Sequence, residues 1–265
     1  MGIFKLSSRA KQFPQPPPSI VLSFFLAVAL LQFPVGFLIH GFSTSAGIII
    51  NEVVIMLLLP LIGIRLAGYN PINLLPFGKT KPQFLLAAIL LTLANCILLS
   101  YLQFLSEIIF PINDAMRLTV LKPVAVHGSV DFFFKMALLC LLVPICEEIF
   151  FRGIVQRTFA RYVGKNYAIL ITAVFFAFMH PSSWHPHLYF ILGLMLSWIS
   201  AKTRTLRTPI LCHMLNNTFI LISTQRGISF PVEQTFGMLD LLTILAAISL
   251  ASLAIYLLKR SKRRG

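Results

Sequence analysis

Eight apolar runs dominate this chain of 265 residues, at roughly 19–40, 46–68, 83–106, 131–151, 166–180, 188–200, 208–224 and 236–258. A helix crossing the hydrocarbon core of about 30 Å needs about 20 apolar residues at about 1.5 Å each. Most of the runs reach that length or approach it. They are continuously apolar rather than alternating, which argues for helices and against membrane strands. With 57% hydrophobic and 11% charged residues, the chain lies far from the roughly 25% charged content of a soluble domain. The expectation is an all-α polytopic membrane protein of about eight transmembrane helices, embedded as one domain without internal repeats.

A net charge of +14 raises the question of nucleic acid, and its distribution answers it. Lys5, Arg9 and Lys11 precede the first run, and Arg65, Lys79 and Lys81 follow the second. Arg152, Arg157, Arg161 and Lys165 follow the fourth, Lys202, Arg204 and Arg207 the sixth, and Lys259, Arg260, Lys262, Arg263 and Arg264 the eighth. Those 18 fall on one side, whereas the alternate loops hold Arg117, Lys122 and Arg226, with Lys135 just inside the fourth run. This is the positive-inside pattern, placing both termini in the cytoplasm and the chain in the cell (plasma or inner) membrane. Membrane lipid is the expected partner, and nucleic acid is not.

The first run is too long for a signal peptide, and Pro14 to Pro18 separate it from the basic residues before it, so a retained span is expected. The chain divides into a cytoplasmic segment (1–18), N-terminal transmembrane helices (19–130), a helical core (131–224) that holds most of the deeply placed ionisable residues, and a last span with a basic tail (225–265). The four cysteines, Cys96, Cys140, Cys146 and Cys212, all lie in apolar segments and imply no disulfide framework.

Ionisable groups deep in a bilayer are expensive and mark function. Glu52, Lys135 and Asp240 lie near span ends, where anchoring or a helix-end pair accounts for them. Glu147, Glu148, His180 and His213 are not so easily explained. Glu148 and Arg152 stand at i and i+4, on one helix face, where an ion pair is favourable. Glu147 points about 100° away, has no such local partner, and sits among apolar residues beside a like charge. That setting strengthens a carboxylate's hold on a proton, as a general base requires. Pro144, just before the pair, permits a kink. His180 ends a run of only 15 residues, too short to reach the far interface, so a hairpin tip at Pro181 to His187 is expected below the surface, lining a polar intramembrane cavity. His213 and Asn217 share a face of the seventh span and can present two donors to one oxygen.

These groups suffice for peptide hydrolysis. Glu147 can deprotonate a water that His180 orients, while His213 and Asn217 stabilise the oxyanion. Glu147, His180 and His213 also make a ligand set for zinc or another divalent metal, and the sequence does not separate a metal-bound water from a base-activated one. Cys146 and Cys212, beside Glu147 and His213, raise a thiol mechanism, but buried cysteine commonly packs as a small hydrophobe. His180, His185 and His187 raise a metal site at the hairpin tip, against the plainer reading of hydrogen bonding around a proline-rich turn.

Glu147-Glu148-Ile149-Phe150-Phe151-Arg152-Gly153 resembles the EExxFRG motif of the CAAX protease and bacteriocin-processing family, which includes the type II CAAX prenyl endopeptidases. Phe176 to His180 resembles its FxxxH motif and His213 to Asn217 its HxxxN motif, in the family's order, on the fourth, fifth and seventh runs. The resemblance covers roughly 130–220. It implies an intramembrane endopeptidase in which Glu147 and His180 activate water and His213 and Asn217 donate to the oxyanion, with Glu148, Arg152 and Phe176 completing the motifs. Relatives have been described both as glutamate-dependent and as metalloproteases, so the metal stays open. The expected substrate is a protein or peptide, either a membrane helix or a lipid-modified C-terminus. Two other readings compete: a proton- or ion-coupled transporter, and a non-catalytic immunity or scaffold protein of the same fold. One conflict also stands, because straight helices starting at a common level put His180 about 13 Å deeper than His213.

Overall fold

A computed structural model describes residues 16–40, 43–180, 185–228 and 236–260. Among them every regular element is helical. The helices are α1 (Pro18–His40), α2 (Thr44–Leu66), α3 (Pro82–Ile109), the short α4 (Asp114–Leu121), α5 (Ser129–Tyr162), α6 (Lys165–Phe178), α7 (Pro186–Thr203), α8 (Arg207–Arg226) and α9 (Met238–Arg260). Each of the eight apolar runs falls largely within one of the eight longer helices. The basic residues at 5–11 and 261–265 and the hairpin-tip residues 181–184 lie outside the described residues.

Four helices are long and apolar enough to cross a membrane by themselves: Thr44–Leu66, Pro82–Ile109, Ser129–Tyr162 and Met238–Lys259. Two of the other expected crossings fall short for physical reasons. The 14 residues of α6 rise only about 21 Å, and α8 carries His213, Asn216 and Asn217 in its middle. The surface nonetheless suits lipid. Leu30, Leu66, Leu86, Val174, Leu239 and Leu242 are exposed, while Glu147, Glu148, Arg152, Gln156, His213 and Asn216 are buried. Apolar outside and ionisable inside is the arrangement a bilayer favours.

Local chemistry accounts for the breaks. Asn113 caps α4 by accepting from Met116 N at 2.9 Å, and Ser43 caps α2. Pro82 and Pro186 open α3 and α7, where a missing N–H costs nothing. Gly164, at φ 86° between α5 and α6, takes the left-handed turn that a Cβ would resist. Within α5, wide π-helical turns at 138–142 and 149–156 flank an ordinary turn at 143–148. The wide turn before Pro144 accommodates a residue that cannot donate a backbone hydrogen bond.

The packing places α9 along α3, α7 along α6, and α8 against α3, α5 and α7. At the end of the bundle where α8 begins, residues 71–80 form a cap. Leu206 N donates to Pro76 O at 2.7 Å, Thr205 to Gly78 O at 2.8 Å, and Arg157 to Leu74 O at 3.2 Å. Thr80 and Thr208 pair at 2.9 Å. The first turn of α8 is therefore buried beneath the cap, whereas Gly164 and Lys165 at the start of α6 are exposed. The two helices do not start at a common level, which removes the expected 13 Å mismatch.

The α6–α7 crossing depends on Gly193, where an added Cβ would lie 3.1 Å from Ala173 Cα and 3.3 Å from Phe176 Cδ1. Gly193→Val is expected to destabilise the protein by about 1–3 kcal/mol through overpacking, read as a lowered Tm in detergent. Gly78→Ala, whose added carbon meets nothing within 4 Å, should leave the Tm unchanged.

Candidate functional site

The turn 143–148 of α5 carries Glu147 and Glu148 into the middle of the bundle, and the two carboxylates do different work. Glu148, fully buried, receives two donors on one of its oxygens. Arg152 Nη1 donates to its Oε1 at 2.7 Å, and His213 Nδ1 donates to the same oxygen at 2.9 Å. Arg152 is itself fully buried: its Nη2 donates to Gly193 O at 3.1 Å, and its guanidinium lies 4.7 Å from the Phe176 ring centroid. Such a group persists inside a low-dielectric interior only while its charges are paired and hydrogen-bonded.

Fixing Nδ1 of His213 as a donor leaves Nε2 on the other side of the ring, 3.8 Å from Glu147 Oε2. His180 arrives at the same place from α6. Its Nδ1 donates to Phe176 O at 2.7 Å, its ring stacks on Tyr189 at 4.2 Å between centroids, and its Nε2 faces Glu147 Oε1 at 3.9 Å. One imidazole thus faces each oxygen of the Glu147 carboxyl. Phe176, fully buried, touches both rings, at 4.7 Å to His180 and 5.8 Å to His213.

Glu147, His180 and His213 line one end of a cavity of about 350 Å³, together with Phe176, Tyr189, Asn216 and Asn217. Asn217 Nδ2 donates to Leu139 O at 2.9 Å, and its Oδ1 accepts from Asn216. An amide carries two N–H donors, and Leu139 takes one of them. Glu148 and Arg152 do not line the cavity; Glu148 meets His213 from behind it, and Arg152 meets Glu148.

The sequence reading of Glu52 as a span-end anchor is corrected. It lies nine residues into α2, is buried, and belongs to a stretch that packs on the 143–148 turn. Asn51 Nδ2 donates to its Oε1 at 3.0 Å, and the residue is close enough to Glu147 and Cys146 for direct Coulombic interaction. A carboxylate inside an apolar run was the available signal. By contrast, Lys135 pairs with Asp131 one turn away at 3.3 Å and donates to Ala125 O, and Asp240 accepts from Tyr101 Oη at 2.8 Å and from Gly237 N.

His185 and His187 do not join His180. His187 pairs with Ser106 at 2.8 Å and His185 with Phe110 O at 3.3 Å, tying the hairpin to the end of α3. Cys146 and Cys212 are fully buried and lie outside the cavity lining. Among the described residues no three His, Cys, Asp or Glu side chains stand together closely enough to hold an ion, Glu147, His180 and His213 included.

Helices with apolar outer faces around a buried ionisable cluster define a multi-pass helical membrane protein. Residues 129–219 match the family model described as "Type II CAAX prenyl endopeptidase Rce1-like". Among curated proteins the chain is 30% identical over 99 residues to the Bacillus subtilis (strain 168) protein named "Putative membrane peptidase YdiL". That alignment covers 37% of this chain and 41% of the relative, so the chain spans about two fifths of the relative's length. No solved structure matches. The family resemblance carried by the three motifs is borne out over this central region.

Removing one partner of the Arg152–Glu148 pair should cost more than removing both. Arg152→Met is expected to destabilise by about 3–5 kcal/mol, the cost of an uncompensated buried charge. Adding Glu148→Gln should recover much of that loss, measured as thermal unfolding of the purified protein in detergent.

Proposed function

We propose that this chain is an intramembrane endopeptidase that hydrolyses peptide bonds with a water activated by Glu147. The observation that carries the reading is the facing of Nε2 of His180 and Nε2 of His213 onto the two oxygens of one buried carboxyl, at the end of a cavity. With both Nδ1 atoms committed as donors, the neutral rings present Nε2 as acceptors, and an ionised Glu147 is an acceptor too. Separations of 3.8 and 3.9 Å are too long for direct hydrogen bonds. Three acceptors turned toward one another suit a donor held between them, and water is the donor that hydrolysis needs.

In the proposed step, the water oxygen bonds to the scissile carbonyl carbon while Glu147 takes its proton, with His180 orienting the water. The carbonyl oxygen gains charge, and the N–H of Asn217 that Leu139 O does not take is the proposed donor to it. Glu147 can share the proton taken from the water with His213 Nε2, 3.8 Å away. His213 then donates to the oxyanion while Glu148 stabilises the imidazolium through Nδ1, as a carboxylate does behind a catalytic histidine; the proton returns to Glu147 before the C–N bond breaks. Glu148 is therefore a positioning residue. The C–N bond then breaks, and the proton held by Glu147 passes to the leaving nitrogen. Each of these contributions has the magnitude of a few kcal/mol that such roles usually supply.

The family match over 129–219 and the peptidase name of the relative support the same class. A conduction pathway would need polar groups along the whole bundle. Beyond Glu148 the buried polar groups Arg152 and Gln156 are instead tied to Gly193 O and Ser197 O, with Phe150, Phe151, Ile154, Leu196 and Ile199 packed beside them, which disfavours the transporter reading.

The test is quantitative proteomics of peptide termini in membrane fractions. Termini present with the wild type should be absent with Glu147→Gln and His180→Ala. With Asn217→Ala they should be reduced by about 10²–10³-fold, the cost of losing one oxyanion donor. Identical termini in wild type and Glu147→Gln would overturn the proposal.

A further inference from the structure

The cavity has a direction. Besides the Glu147 end, it is lined by Ser100 and Gln103 of α3, by Val120 of α4 and Val124 of the connection after it, and by Ile220 of α8. A second cavity, of about 290 Å³, shares Ser100, Gln103, Phe219 and Ile220 with the first and continues to Glu107, Arg117, Ser223 and Thr224. Together they form one groove between α3 and α8, running from Cys96 to Glu107, about 16 Å along α3.

The contributing helices line it mostly from the same half. The lining residues occupy the C-terminal part of α3 and mostly the C-terminal part of α8, the first half of α7, and the part of α5 before Glu148. The opposite ends of these helices carry Lys79 and Lys81, Lys202, Arg204 and Arg207, and Arg157, Arg161 and Lys165. That basic end is also the sealed one. Leu74, Leu206 and Ile154 are fully buried under the 71–80 cap, and the Glu148–Arg152 pair and its apolar neighbours fill the space between the cap and Glu147. At the groove end, α4 and the connection after it lie across the mouth, held by Gln225 Nε2 donating to Val124 O at 3.1 Å and by Arg117 on Glu107 at 3.4 Å.

We propose that substrate enters from the face bearing residues 107–130, opposite the basic loops, and is an extended extracytoplasmic stretch of a membrane-anchored protein. This rests on the proposed peptidase reading for what happens at Glu147, and on the positive-inside rule for which face is external. The groove's chemistry fits an extended peptide. Ser100, Gln103, Asn216 and Asn217 supply a row of polar groups for an unfolded backbone, which must hydrogen-bond inside a membrane. Leu99, Val124 and Ile220 supply an apolar wall for its side chains.

The experiment is thiol accessibility with a membrane-impermeant methanethiosulfonate, applied to right-side-out and inside-out vesicles. The four native cysteines are buried, so the wild type sets the background. Ser100→Cys and Gln103→Cys report the groove, Asp114→Cys its mouth, and Lys81→Cys the basic end. Ser100→Cys is nearly isosteric and guards against misfolding at position 103. The expected result is labelling of the groove and mouth variants several-fold above wild type in right-side-out vesicles, and of Lys81→Cys in inside-out vesicles. Groove variants that label from the Lys81 side, or from neither side, overturn the proposal, as does an Asp114→Cys that labels with Lys81→Cys. Catalysis plays no part in this readout. Labelling as expected beside a null result in the terminal-peptide comparison would sink the peptidase reading and leave the entry route standing.

Discussion

A single carboxylate oxygen organises the centre of this protein. Oε1 of Glu148 receives both Arg152 and His213, at 2.7 and 2.9 Å, and all three residues are buried. Inside an apolar bundle an unpaired charge costs several kcal/mol, so each of the three groups depends on the others staying in place. The consequence is geometric. A histidine committed through Nδ1 has one orientation left for Nε2, and here it is toward Glu147. Arg152 extends the constraint to α7 through Gly193 O, so one polar cluster ties α5, α7 and α8 together.

The second imidazole is positioned by packing as much as by hydrogen bonding. His180 lies just past the last turn of α6, held between Phe176 O and the Tyr189 ring. That position depends on α6 and α7 approaching as closely as Gly193 and Ala173 allow. The level of His213 depends in turn on the 71–80 cap over the first turn of α8. A site built this way needs no long loop; helix starts at different depths bring three helices to one point.

Much of this was legible in the residues. The apolar runs located the long helices, and the i, i+4 spacing of Glu148 and Arg152 announced their pairing, because both features are local. The three motifs indicated which helices carry the site, and the structure brings Glu147, His180 and His213 together with Asn217 in the same cavity. The contact between His213 and Glu148, 65 positions apart, was not legible, since spacing along the chain says nothing about pairs across it. Nor was the burial of Glu52 against the 143–148 turn, because a carboxylate near a run's end looks the same whether it faces an interface or a neighbouring helix. The shortness of α6 was visible, whereas the buried start of α8 was not. That difference is why straight helices implied a depth conflict that the fold does not contain.

The account stands on the Glu147 carboxyl lying between two imidazoles. Rotational-echo solid-state NMR on the lipid-reconstituted protein measures this directly, between a labelled Glu147 carboxyl carbon and labelled histidine ring nitrogens. The oxygen–nitrogen separations of 3.9 and 3.8 Å predict dipolar coupling of that carbon to Nε2 of both His180 and His213, each lost in the matching His→Ala variant. Coupling to neither ring, in protein that unfolds cooperatively and retains its Tm, would contradict the site.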